Sequence, residues 1–348
     1  ALQGASLPLG GNVVTYAGKS GFSGLLDGVG TAAKFNSPYG VTTDGNYFYV
    51  ADYVNNNIRR IDPSTQAVSV FAGSPTGLSG STDNVVGTSA LFFRPYDITS
   101  DGTSLFVTDY NNCTIRKIDI ATTAVSTLAG TAGICTGAGS TFAYPQGITT
   151  DGARLFVTEN TRVLQVNIVS GAVSTFAGST TGVVGHTDAV GTLARFNNLE
   201  GITTDGTSLF VTDRYYQDIR KIDIATASVS SLAGNYTNAT TSTSTDGTGI
   251  GATFNLPMGI TTDGTNLYVT ESSSGVTGGG YVIRKIANGT TAATSAAVVT
   301  TLAGSPGVGG TTDGLGSAAL FRSLWGITIY CGNLVIVDSG NSSIRVLY

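Results

Sequence analysis

The chain has 348 residues, of which 41% are hydrophobic, 11% charged and 48 are glycine, with a formal net charge of −5. The apolar content supports a packed core and excludes a disordered chain. Glycine lacks a G-X-Y period, which excludes collagen, and no apolar run nears the ~18 residues of a spanning helix. The 17 Lys plus Arg form no concentrated basic stripe, so nucleic acid is excluded as a partner.

Residues 1–12 read as a Gly/Ala/Leu tail. The chain starts at Ala1, and Met258 is its single methionine. With few charges and many Thr, Ser and Gly, it reads as an exported protein, extracellular or at the cell surface, whose signal segment has been removed. A motif then recurs as VVTYAG, VSVFAG, VSTLAG, VSTFAG, VSSLAG and VTTLAG, ending at Gly18, Gly73, Gly130, Gly178, Gly234 and Gly304. The spacings are 55, 57, 48, 56 and 70 residues, and the arc back through the chain ends is 62, so six comparable units close a circle.

Every unit has the same order. A Gly-rich loop leads to a short turn ending in Phe, as in DGVGTAAKF (27–35), and a strand such as GITT (147–150, 201–204, 259–262) follows. Asp-Gly then turns the chain into a second strand, SLFVTD or NLYVTE, by a hairpin predicted to be type I′. A polar loop, the IRKID strand and the VSTLAG strand complete the unit. Four short strands per unit and six units predict an all-β, six-bladed β-propeller. The chain begins with a fourth strand (13–18) and ends with a third, so the first is predicted to complete the last blade and remove an exposed edge. Residues 13–348 then form one propeller domain.

The repeated pattern TLAG…DGxGxxAxFxxPxGITTDGTxLYVTDxxNxxIRKID resembles the bacterial NHL repeats, which form six-bladed propellers. The resemblance covers about residues 13–348. Blade 3 departs most: its loop 131–141 lacks the Asp, and ENTRVLQVNI (159–168) replaces DYNNCTIRKID. Blade 5 carries SSSGVTGGG (272–280) and an Ala/Thr-rich bulge (287–297). The resemblance implies a binding or scaffolding module, with enzymes a minority, and fold alone decides nothing.

Polar residues that repeat read as framework. Asp52, Asp109, Glu159, Asp213, Glu271 and Asp338 end the second strands, and Arg59, Arg116, Arg220, Arg284 and Arg345 stand on the third. They are predicted to pair across neighbouring strands and hold the loop between. Leu164 removes the arginine from blade 3. Loop residues Asp27, Asp83, Asp188, Asp246 and Asp313 are expected to cap turn amides.

Function is expected where the frame holds but the residue varies. At the start of the innermost strand stand Tyr39, Tyr96, Gln146, Glu200, Met258 and Trp325, and Asp97 replaces a glycine found in the other five blades. Loops between second and third strands add Tyr53, Tyr110, Arg214, Tyr215 and Tyr216. All are predicted at one channel mouth, where polar-tipped aromatics suit a protein or glycan partner, or copies of the chain in a surface filament. One histidine, His186, in a variable and exposed loop, excludes a multi-histidine zinc site and makes a Ser-His-Asp triad remote. No haem, nucleotide or dinucleotide motif occurs, and no cofactor is expected. The rival reading is a calcium-dependent propeller hydrolase or lyase using Asp97 and Glu200. Cys113 and Cys135 fall in neighbouring loops and are predicted to form a disulfide in an oxidising compartment, leaving Cys331 unpaired at the opposite face. Sequons fall at Asn112, Asn235, Asn238, Asn288 and Asn341, and the Thr/Ser run 237–245 offers O-linked acceptors.

Overall fold

A computed structural model describes residues 11–136, 141–236, 243–272, 280–291 and 296–348. These residues form six antiparallel sheets around a central channel. In blade 1 the innermost strand is Pro38–Thr43, followed outward by Phe48–Asp52, Asn57–Ile61 and Ala67–Gly73. The other innermost strands are Pro95–Ser100, Ile148–Thr150, Leu199–Thr204, Pro257–Thr262 and Leu324–Tyr330. Blades 1, 5 and 6 gain a fifth strand of two residues, Gly28–Val29, Gly247–Thr248 and Gly314–Leu315. So short an edge strand offers little template for pairing with another chain.

The ring closes in one sheet. Asn12–Ala17 lies between Ser343–Leu347 and Gly314–Leu315, with Val14 opposite Val346. Apolar side chains alternate along the strands and interlock between blades. Phe35, Phe48 and Val50 of blade 1, for example, pack with Val335, Val337 and Ile344 of blade 6. The innermost strands approach so closely that a Cβ on Gly201 would stand 2.3 Å from the Met258 carbonyl oxygen, and one on Gly326 2.5 Å from that of Tyr39. Thr108, Thr158, Thr212 and Thr270 reinforce this ring, each donating its hydroxyl to the carbonyl that opens the next blade's innermost strand.

The Asp-Gly hairpins differ from the predicted type I′ turns. Only the glycine takes positive φ, as at Gly45 (+89°) and Gly102 (+88°). The aspartate carboxylate instead accepts the amides two and three residues on, as Asp44 does from Asn46 and Tyr47.

Each framework arginine is wholly buried and lies between two carboxylates, with a third beside Arg220. Arg116 donates to Asp109 at 2.9 Å from Nη1 and to Asp83 at 2.7 Å from Nη2, above the Phe92 ring. Arg59 with Asp52 and Asp27, and Arg345 with Asp338 and Asp313, repeat this clasp. The loop aspartates are therefore not simple turn caps. Asp83 also accepts the Thr127 amide of the outermost strand, and Asp313 the Thr15 amide, so each joins the arginine to that strand. Blade 3 replaces the missing arginine with Arg162, whose Nε lies 2.7 Å from Glu159.

Cys113 and Cys135 form a disulfide, and Cys331 is unpaired and exposed. Thiol titration of the folded chain is expected to count one reactive sulfhydryl, lost in Cys331→Ser, with two more appearing only after reduction. Replacing Arg116 by Met strands a buried carboxylate, with an expected cost of about 3–5 kcal/mol. Asp83→Asn removes a half-exposed partner and should cost no more than about 1 kcal/mol. Denaturant midpoints for the two variants check the order.

Candidate functional site

The carboxylate that grips the arginine also sets the channel mouth. In all six blades it accepts a loop amide ahead of the innermost strand: Asp52 from Asn36, Asp109 from Phe93, Glu159 from Ala143, Asp213 from Asn197, Glu271 from Asn255 and Asp338 from Arg322. The next residue is left-handed in every blade, with φ of 48° at Ser37, 57° at Arg94, 56° at Tyr144, 64° at Asn198, 45° at Leu256 and 67° at Ser323. A non-glycine residue pays roughly 1 kcal/mol or more for this conformation, and the fixed amide before it holds it there. Two residues later stands the varied position, Tyr39 through Trp325.

Aromatic rings from blades 6, 1, 2 and 3 meet at the mouth. Tyr39 lies between Trp325, stacked at 3.8 Å, and Tyr53, stacked at 4.2 Å. Tyr96 stands edge-on to Tyr39 at 5.1 Å and stacks on Tyr110, which reaches Tyr144 at 5.2 Å. Arg94 covers Tyr53 at 5.4 Å. Tyr96 is buried, whereas Tyr39, Tyr53, Tyr110 and Trp325 are half-buried and Tyr144 is exposed. Both faces of Tyr39 are taken by its neighbours.

Under the plate, a small recess is lined by Tyr39, Tyr96, Asp97, Glu200, Met258 and Trp325 together with the glycine ring. Glu200 accepts from the Tyr96 hydroxyl at 2.6 Å and from Arg214 at 2.9 Å. Burial pushes its carboxyl up against the pull of Arg214, and burial beside Glu200 pushes the Tyr96 phenol well above its usual range. Asp97 accepts the Ile148 amide at 3.1 Å across the blade boundary. Desolvation raises it to about 7, with the Glu200 charge adding to the rise. Deeper in the channel, Thr42, Thr99, Thr149, Thr203, Thr261 and Thr328 line a second space. This set can move a proton at Asp97 and can offer an adhesive aromatic surface. Among the described residues no group of three His, Cys, Asp or Glu side chains is arranged to hold a metal ion.

Two predicted members fall outside the plate. Tyr215 is exposed under Arg214, and Tyr216 turns its edge to His186 at 5.2 Å. Gln146 reaches Asn198 at 3.5 Å, and Met258 is buried in the recess. His186 sits in a largely exposed loop, but its own side chain is turned inward, 10% exposed and 2.7 Å from the buried Asp218. Asn112 and Asn341 are buried, and their Nδ2 atoms donate to Asp109 and Asp338, so both sequons serve the clasp instead of presenting an amide to solvent. Asn288 is exposed and Asn235 half-buried, while Asn238 lies outside the described residues, as do parts of 272–280, 287–297 and 237–245. Arg94, Tyr144, Asn198 and Ser323 were not among the predicted site residues. Their signal was variation at the position two before Tyr39 and its counterparts.

No family model matches the sequence. Human NHL repeat-containing protein 2 is 39% identical over 112 residues, covering 30% of this chain and 15% of that protein. An auxiliary nutrient binding protein from Bacteroides thetaiotaomicron aligns with a TM-score of 0.68 at 16% identity, over 97% of this chain and 76% of its own. A gluconolactonase from Xanthomonas campestris aligns with a TM-score of 0.56 at 11% identity, over 90% and 86% of the two chains. Binding proteins and enzymes thus share the fold, and the site must decide between them.

The position of Asp97 carries a pH signature. Its folded value, about 7, lies above the unfolded one, so its contribution to stability is present at acid pH and lost as pH rises through about 7. Asp97→Asn is expected to remove that loss and to gain on the order of 2–4 kcal/mol over the parent at alkaline pH, with little difference near the unfolded carboxylate value. Denaturant unfolding of both proteins across that range checks it.

Proposed function

Taking the chain as a six-bladed propeller of the NHL-repeat family, we propose that it is a non-enzymatic binding module, secreted or at the cell surface, that engages a protein partner through its channel-mouth face. The observation that carries this reading is the preassembled plate of Trp325, Tyr39, Tyr53, Tyr96, Tyr110 and Tyr144. Rigid aromatics with polar tips give large contact area at little cost in side-chain entropy. A glycan stacks on a free ring face, and Tyr39, at the centre of the plate, has none. The disulfide suits an oxidising compartment.

A second reading, the calcium-dependent propeller hydrolase, draws on the raised Asp97 beside Glu200 and on the gluconolactonase likeness. It requires lactone turnover that rises with calcium and is lost in Asp97→Asn. The binding reading expects none.

A photocrosslinking residue placed at Tyr53 or Tyr144 of the exported protein should trap one protein partner, while the same residue at Gly102 on the opposite face should not. Replacing Tyr53, Tyr144 and Trp325 together by Ala should weaken capture at least tenfold with the melting temperature little changed, because none is fully buried. Equal labelling at both faces would remove the assignment.

A further inference from the structure

Blade 4 contains a charge that the other blades lack. The residue opposite the second-strand carboxylate is Asn57, Thr114, Arg162, Val282 or Ser343 elsewhere and Asp218 here. Asp213 and Asp218 are both wholly buried, and Arg220 stands 3.7 Å from one and 3.8 Å from the other while its Nη2 is taken by Asp188. One guanidinium thus serves three carboxylates, where the clasp of blade 1 has two. Oδ1 of Asp218 is buried with no hydrogen-bond partner among the described residues.

The only histidine of the chain stands at this excess charge. Nε2 of His186 lies 2.7 Å from Asp218 Oδ2 and 3.4 Å from Ser231 Oγ, and its ring stacks on Tyr236 at 3.8 Å. The corresponding positions before the other loop aspartates hold Leu25, Ser81, Ser244 and Thr311. Blade 4 has therefore gained an acid and an imidazole together, in contact.

We propose that His186 and Asp218 form a proton-operated latch that fastens the loop 179–190 of blade 4 to its third strand, closed by an imidazolium and loosened when the imidazole is neutral. A protonated His186 brings the cluster to the balance of the blade 1 clasp, one uncompensated negative charge. Without that proton, the site either holds two such charges, where repulsion is poorly screened, or takes a proton on Asp213. Imidazole is the side chain whose charge changes between about pH 5 and 8. The groups facing it are Asp213 from the second strand, Asp218 and Arg220 from the third, Ser231 from the outermost strand, Asp188 from its own loop, and Tyr216 and Tyr236 from the connecting loops. Burial and the Asp218 charge push Asp213 well above the carboxylate range. It therefore also takes up a proton on folding, and its contribution is likewise lost as pH rises.

Amide hydrogen exchange tests the latch. The Gly185 and Thr187 amides donate to Phe196 and Arg195 across the fastened loop, and the equivalent Gly24 and Leu26 amides in blade 1 donate to Phe35 and Lys34 with no histidine nearby. In the parent, protection at Gly185 and Thr187 should fall about tenfold between pH 5.5 and 8, while Gly24 and Leu26 keep theirs. His186→Gln should give low protection at both pH values. Asp218→Ser, which installs the blade 6 residue, should make it independent of pH, and Asp213→Asn, which removes the other titrating carboxylate, should keep the fall; a fall lost in Asp213→Asn assigns it to that carboxylate and overturns the latch even if His186→Gln does not fold. A parent whose protection is equal at both pH values, or an Asp218→Ser variant that keeps the fall, overturns the proposal.

Discussion

The carboxylate that ends each second strand is the constraint from which the rest of this propeller follows. It is buried, it receives the third-strand guanidinium, and it fixes the amide of the loop that enters the innermost strand. A buried charge is tolerable only when its acceptor capacity is filled. Filling it with one donor from the blade and one from the incoming loop ties blade geometry to channel geometry. The left-handed residue after that amide then turns the chain so that Tyr39, Tyr96 and Trp325 project into the mouth. Blade 3 shows what must be kept: the arginine moves from the Leu164 position to Arg162, while the bond from Glu159 to the Ala143 amide remains.

The inner ring sets how close these side chains come. Glycines beneath them let neighbouring backbones approach to distances that no Cβ permits, and four threonine hydroxyls bind the next blade's carbonyl. The mouth is narrow enough for rings from four blades to touch. Asp97 is the exception in the ring, placing a carboxylate where five blades have only hydrogen, and its raised value follows from that crowding.

Much of this was legible in the sequence because a repeat reports the same environment six times. Blade number, ring closure and the Cys113–Cys135 disulfide follow from order and spacing, and the second-strand acids and third-strand arginines stand out because they recur. The remainder depends on contacts that spacing does not encode. Asp83 reads as a turn residue until Arg116, 33 positions on, is seen against it. His186 reads as a loop residue until Asp218 is placed beside it. The aromatic positions were legible as a group, but their stacking on one another, which removes ring faces from solvent, is a matter of rotamers and neighbouring blades. Asn112 and Asn341 show the converse, a motif match that burial assigns to the framework.

The seam has a mechanical meaning. Asn12 and Tyr348 exchange both backbone hydrogen bonds at one end of an antiparallel pair. Tension pulling residues 12 and 348 apart would load those two bonds first and the pairs behind them in turn, as a zipper opens, without loading the row in parallel. A load entering through the flat faces meets the interlocked blade cores instead. The seam is thus open to forces that draw residues 12 and 348 apart.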